Sequence, residues 1–258
     1  MVMMKAPRVL KLAYKRLLDQ RIGCQDDITI IMMYHGISNF YRPSAVTPWD
    51  FEAGLLELVK AGFKSYSFGQ LIKDEFRPKG RCFIVTFDDA EKGVIEYGLP
   101  ILKKHQMQGC VFVSPALLGK SYGFSWAKTP KSVITLSETE KYRGYRIDHM
   151  HADDIKNWLN EGLEIGSHGL WHLDLSSLCL NPELLQIEVE QSKFMLEENF
   201  GVNIEAFAYP FGSYNQTVKE CVKQYYKCAV TVEKGGISRG RPKVDPWELP
   251  RITGGECV

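Results

Sequence analysis

Residues 82–89 read CFIVTFDD, and residues 165–172 read IGSHGLWH. The first is a continuous apolar run that ends in two carboxylates. Such a run, short and bounded by polar residues, predicts a strand buried on both faces, as in a parallel sheet covered by helices. Its aspartates then mark the C-terminal end of the strand.

The flanking segments repeat the pattern. ITIIMMYHG (28–36) is a β-prone run closed by glycine, and DFEAGLLELVKAGF (50–63) has helical spacing, with Phe51, Leu55, Leu58 and Val59 predicted on one face and Gly62 as a stop. GLPILKKHQM (98–107) reads as a helix, GCVFVSP (109–115) as a strand, ADDIKNWLNEG (152–162) as a helix and LEIGSH (163–168) as a strand. NPELLQIEVEQSKFMLEENFG (181–201) is a long amphipathic helix, with Pro182 in its first turn and Gly201 as its C-cap. IEAFAYPFG (204–212), NQTVKECVKQYY (215–226) and KCAVTVEKGG (227–236) continue as strand, helix and strand. The stretch from about 119 to 147 is polar, lacks periodicity and reads as a long insertion or active-site loop. Alternating strands and helices imply parallel pairing with helices outside. Seven or so such steps exceed a small doubly wound sheet and suit an irregular α/β barrel.

Composition narrows the function. The 258 residues are 45% hydrophobic, enough for one large domain. Lys plus Arg is 32 against 31 for Asp plus Glu, a net charge of +1 that gives no basic footprint for nucleic acid. Neither GxxxxGK[ST] nor GxGxxG occurs, which disfavours P-loop and dinucleotide enzymes. Seven cysteines without a CxxC pair support neither a zinc knuckle nor a thioredoxin-like motif, and Cys82 and Cys110 read as small core residues. Residues 1–27 form a basic leader, with Lys5, Arg8, Lys11, Lys15, Arg16 and Arg21 among Val9, Leu10, Leu12, Leu17 and Leu18. As a helix this segment would be amphipathic, either packed on the domain spanning 28–258 or lying on an anionic membrane surface. It lacks the apolar core of a secretory signal, so the expected location is cytoplasmic, with peripheral contact at the inner membrane face.

In a parallel barrel, the C-terminal strand ends share one face, where the loops build the site. His35, the pair Asp88 and Asp89, His168 and the Tyr209–Phe211 turn all fall at such ends. His168 and His172 stand four apart, so on a helical turn their rings would project to one side. Two imidazoles and a carboxylate make a three-ligand set with an open position for water, as in catalytic zinc sites. If Asp89 is the carboxylate ligand, Asp88 is left beside the water as a general base. A helix N-cap would account for DD alone, and core or surface histidines for HxxxH alone. Neither accounts for the placement of both at strand ends.

TFDD (86–89), SHGLWH (167–172) and YPFG (209–212) together resemble the polysaccharide deacetylases, the NodB-type carbohydrate esterases of family 4, from about residue 28 to 252. The resemblance implies an irregular (β/α)7 barrel that removes acetyl groups from sugars with a divalent metal, Zn²⁺ foremost and Co²⁺, Ni²⁺ or Fe²⁺ as alternatives. It implies Asp88 as general base, Asp89, His168 and His172 as metal ligands, and the Phe211 backbone N–H as an oxyanion donor where Tyr is usual. Gly169 stands where many members have Ser or Thr. The usual third-motif arginine is missing, and no histidine follows His172 to serve as the usual C-terminal acid. The MMYHGI start and ELPRI end are similar to a circularly permuted branch acting on poly-N-acetylglucosamine. On that pattern His35 would be the acid and Arg251 the arginine beside Asp88. Trp126 and Trp171 are candidates for stacking on sugar, and His149 and His151 for facing substrate or lying in a solvated loop.

The expected partner is an acetylated amino sugar, free or lipid-linked, in cell-envelope or exopolysaccharide assembly. A deformylase or another C–N hydrolase on a lipid-linked sugar is the alternative, and an inactive carbohydrate-binding protein a further one.

Overall fold

The computed structural model describes residues 26–39, 44–122, 147–239 and 244–254. The basic leader up to residue 25, Trp126 and most of the expected insertion lie outside the described residues.

Seven strands form the core: β1 (Ile28–Tyr34), β2 (Arg81–Phe87), β3 (Cys110–Val113), β4 (Glu164–Ser167), β5 (Ala206–Ala208), β6 (Cys228–Lys234) and β7 (Leu249–Thr253). Each pairs with the next in parallel, and β7 pairs with β1 to close the barrel. This is the irregular (β/α)7 barrel that the resemblance implies, with the parallel pairing that the alternation predicts. Closure sets Met32 opposite Ile252 and Met33 opposite Thr253, so the first and last strands of the core become neighbours. Two short strands extend the sheet beyond the ring. Lys64–Ser65 lies parallel to β2, and Ile237–Ser238 antiparallel to β1.

Helices α1 (Pro48–Lys60), α2 (Phe68–Lys73), α3 (Leu99–Lys104), α4 (Ala152–Asn160), α5 (Pro182–Gln186), α6 (Ser192–Phe200) and α7 (Gln216–Tyr225) follow in chain order. Their ends carry the expected local chemistry. Thr47 caps α1 through Asp50 N, Ser67 caps α2 through a reciprocal box with Gln70, and Gly201 ends α6 in the left-handed region at φ 66°. Among the described residues, no helix is long and apolar enough to cross a membrane. Val59, expected on the buried face of α1, is 45% exposed, whereas Phe51, Leu55 and Leu58 are buried. One position past Leu58 turns a side chain by a further 100°, off the apolar stripe.

Strand parity sorts the side chains into two layers. Ile30, Met32, Phe83, Val85, Phe87, Val111 and Phe207 pack outward against the helices. Ile31, Ile84, Cys110, Phe112, Ala208, Val230 and Leu249 fill the barrel interior. His35, Asp88, His168 and Arg251 continue the interior parity of their strands, which delivers polar groups to the open end of a close-packed barrel.

The interior is narrow. A Cβ added at Gly166 on β4 would lie 2.4 Å from Phe112 Cε1 and 2.9 Å from the Ala206 carbonyl oxygen. Gly166 therefore leaves the space that the Phe112 ring occupies. Gly166→Ala is expected to cost about 1–3 kcal/mol of unfolding free energy through overpacking, read as a lower denaturation midpoint at unchanged slope.

Candidate active site

Asp88 directly follows β2, with its N–H donating to the Tyr34 carbonyl at 2.9 Å. Its carboxylate meets Arg251 of β7 in a fork: Nη1 to Oδ1 at 2.7 Å and Nη2 to Oδ2 at 2.8 Å. Both side chains are buried. Arg251 Nε donates to the Thr231 carbonyl at 2.8 Å and Nη1 also to Thr86 Oγ1 at 3.3 Å, while Thr86 Oγ1 donates to the Met32 carbonyl at 2.8 Å. Burial opposes the charge on Asp88, but the charge and hydrogen bonds of Arg251 outweigh it. The carboxyl is held well below the usual range and stays ionised.

Asp89 turns the chain at φ 70°, and its carboxylate faces the two histidines rather than Arg251. Asp89 Oδ1 lies 3.2 Å from His172 Nε2 and 3.7 Å from His168 Nε2, and the two Nε2 atoms are 3.2 Å apart. The Nδ1–H of His168 donates to the Ala208 carbonyl at 2.8 Å, which leaves Nε2 bare toward the cluster. Burial pushes the imidazoles of His168 and His172 down to about 4 and about 3, so both are neutral, the ligating form. Asp89 Oδ1 is buried and makes no hydrogen bond among the described residues. A carboxylate oxygen and a bare imidazole nitrogen crowded with a second imidazole nitrogen fit a divalent cation.

The histidines meet, but not on a helix. Residues 168–172 form an irregular turn in which Gly169 (φ 73°) and His172 (φ 58°) are left-handed. The turn, rather than i,i+4 geometry, converges the rings.

Around this cluster is a cavity of about 170 Å³, lined by His35, Asp88, Asp89, His168, His172 and Phe211 among others. His35 is half-buried there. Phe211 is left-handed at φ 61° and 41% exposed, and its ring stands edge-on to His172 with centroids 4.6 Å apart. Trp171, in the turn between the two histidines, is 44% exposed. His149, expected in part as a solvated-loop residue, is instead buried, with Nδ1 3.0 Å from the Lys120 carbonyl oxygen. His151 stays exposed at the N-cap of α4. His35, Asp88, Asp89, His168, His172, Phe211 and Arg251 thus converge at one end of the barrel.

Sequence reasoning missed Glu188. It lies in the long 181–201 segment, where its charge on a helical pattern reads as solvated face, yet it is fully buried and accepts N–H bonds from Leu170 and Trp171. Burial raises its carboxyl to about 7 against those bonds.

A family model of the polysaccharide deacetylases matches residues 76–228. The chain belongs to that family. It is 28% identical over 213 residues to the polysaccharide deacetylase-like protein YxkH of Bacillus subtilis (strain 168), covering 81% of this chain and 66% of that protein. It is 23% identical over 233 residues to the poly-β-1,6-N-acetyl-D-glucosamine N-deacetylase of Staphylococcus epidermidis, covering 88% of this chain and 72% of that enzyme. The structure of IcaB from Ammonifex degensii superposes with a TM-score of 0.69 at 20% identity, over 89% of this chain and 92% of that one, and shares its fold.

Removing Arg251 would leave the Asp88 charge buried and alone. Arg251→Ala is expected to lower unfolding free energy by about 3–5 kcal/mol at neutral pH. A carboxyl depressed in the folded state stabilises above its unfolded pKa, and that contribution fades as pH falls toward the native value. The gap between native protein and variant should therefore narrow on acidification below the ordinary carboxylate range, as chemical denaturation at several pH values would show.

Proposed function

We propose that this polysaccharide deacetylase family member is a metal-dependent hydrolase that removes N-acetyl groups from amino sugars of a saccharide or lipid-linked saccharide. The observation that carries the reading is the meeting, in one cavity, of an Arg251-held Asp88 with the Asp89, His168 and His172 cluster.

Asp89, His168 and His172 would hold the cation, with Zn²⁺ as the favoured metal. When bound, a divalent cation supplies a Lewis acid and lowers the pKa of water. The rest falls to the chain. Arg251 occupies one lone pair on each Asp88 oxygen, and a carboxylate retains others for a water proton. So strongly ionised a carboxylate is a weak base, which suits it to an acidified water rather than to bulk water. Asp88 orients that water against the acetyl carbon and takes its proton. The Phe211 N–H donates to the oxygen as charge develops there, a contribution of about 3 kcal/mol for a donor of this kind. His35 delivers a proton to the nitrogen as the C–N bond breaks, which frees the amine of the sugar and leaves acetate as the second product. The exposed rings of Phe211 and Trp171 offer apolar surface to the sugar.

The similarity to a poly-β-1,6-N-acetyl-D-glucosamine N-deacetylase supports an N-acetylglucosamine substrate. The basic stretch within residues 5–21, which would be amphipathic as a helix, supports a lipid-linked substrate at an anionic membrane surface, with the protein peripheral to the cytoplasmic face.

Acid release from N-acetylated and N-formylated amino sugars, free and lipid-linked, tests the reading. Acetate release abolished by chelation and restored by Zn²⁺ is expected; formate release alone would replace deacetylation with deformylation. Asp88→Asn should lower kcat by about 10²–10⁴-fold with metal still bound, and His35→Ala should fall in the same range. Full turnover in Asp88→Asn would remove it as the base.

A further inference from the structure

The turn that carries both histidines is held from outside the barrel. Between α5 and α6 the helix passes through a π turn, Ile187–Gln191. A π turn inserts an extra residue into the helical repeat and re-aims the side chains around it. Here it sends Glu188 inward, beside Val189, with neither residue reaching solvent.

The Glu188 carboxyl lies against the chain between the histidines. Oε2 accepts from Leu170 N at 2.9 Å, and Trp171 N approaches Oε1 and Oε2 at 3.2 Å each. A Cβ at Gly169 would lie 2.9 Å from Oε2, so the carboxyl occupies the space a side chain there would need. The π turn is itself tied to the start of the histidine loop. Ser167 Oγ donates to Ser192 Oγ at 2.8 Å, and the Val189 carbonyl accepts from Ser192 Oγ at 2.9 Å and Tyr226 O–H at 2.8 Å.

Keeping a carboxyl in this interior costs stability unless its bonds are well made. Those bonds go to consecutive N–H groups of a single turn, the one whose left-handed Gly169 and His172 set the ring positions. We propose that Glu188 is a positioning residue for the cation site, its carboxyl fixing the 168–172 turn in the form that brings the two Nε2 atoms together. The Gly169–Glu188 contact is part of the same device: glycine at 169 admits the carboxyl. The proposal rests on reading Asp89, His168 and His172 as a cation site.

The test measures cation binding rather than turnover. Apo protein is titrated with Zn²⁺ against a competing chelator, and with Co²⁺ while its visible absorption is recorded. Glu188→Ala is expected to weaken Zn²⁺ binding by about 10–100-fold, the range for loss of a group supporting metal ligands, and to alter the Co²⁺ bands. Tyr226→Phe removes the bonds to the Val189 carbonyl and to Ser192 Oγ while leaving the Glu188 carboxyl and its bonds to Leu170 and Trp171 in place. It should lower thermal stability while Zn²⁺ affinity holds. Gly169→Ala should weaken binding in the native background and add less in Glu188→Ala, because the two residues share one contact. If Glu188→Ala does not fold, Glu188→Gln carries the test. It keeps one acceptor and sets a donor against Trp171 N, for about tenfold weaker binding.

Zn²⁺ affinity within about twofold of native, with unchanged Co²⁺ bands, in the folded Glu188 variant overturns the proposal; so does equal weakening in Tyr226→Phe, which would make the effect one of general stability. Native protein that takes up no Zn²⁺ removes the cation reading and the proposal together, whereas native binding with an unaffected Glu188 variant removes the role of Glu188 alone.

Discussion

The buried fork between Asp88 and Arg251 ties the barrel together at the end where the site lies. Arg251 comes from β7, Asp88 from the end of β2, and β1 runs between them. Two further guanidinium donors reach Thr231 on β6 and Thr86 on β2, and Thr86 passes the connection to the Met32 carbonyl on β1. Taking two charges out of water is expensive, and bidentate geometry with two further guanidinium bonds, to Thr231 and Thr86, is what makes such a pair tolerable. Four strands are thus held in register by the group that orients Asp88. Structure and proposed chemistry depend on the same contact.

Around this fixed point the backbone is bent into conformations that side chains resist. Asp89, Ala90, His172 and Phe211 all have positive φ although none is glycine. Each such residue carries a local cost that the surroundings must offset. Asp89 turns away from Arg251 to face the histidines while Asp88 faces the guanidinium, so adjacent carboxylates enter different environments. One is neutralised by a fixed cationic partner within the chain, and the other is left with an oxygen lacking a hydrogen bond among the described residues. That contrast separates a general-base role from a ligand role more sharply than the dipeptide itself does.

The sequence carried much of this. CFIVTFDD, LEIGSH and the helices between them announced parallel strands with polar groups at their C-terminal ends, because strand period, helix period and glycine stops are local properties of a chain. Where the reading failed, the cause was nonlocal. Val59 continued an apolar run but fell just past the edge of the stripe. The four-residue spacing of His168 and His172 implied a helix, yet a left-handed turn did the work. Glu188 looked like one more acidic residue on a surface helix, and no local rule marks the π turn that drives it inward.

By itself, then, the sequence determined the alternation of strands and helices, the end of the barrel that would carry the polar residues, and which aspartates and histidines were chemically suited to one another. The tertiary structure decided which groups face which. His35 and Arg251 stand 216 positions apart in the numbering (251 − 35), and they share an end of the barrel because β7 closes on β1. The pairing of Arg251 with Asp88, the neutral state of the two buried histidines and the inward turn of Glu188 all depend on distance and desolvation. Those quantities come into being when strands far apart in sequence pack side by side and exclude water.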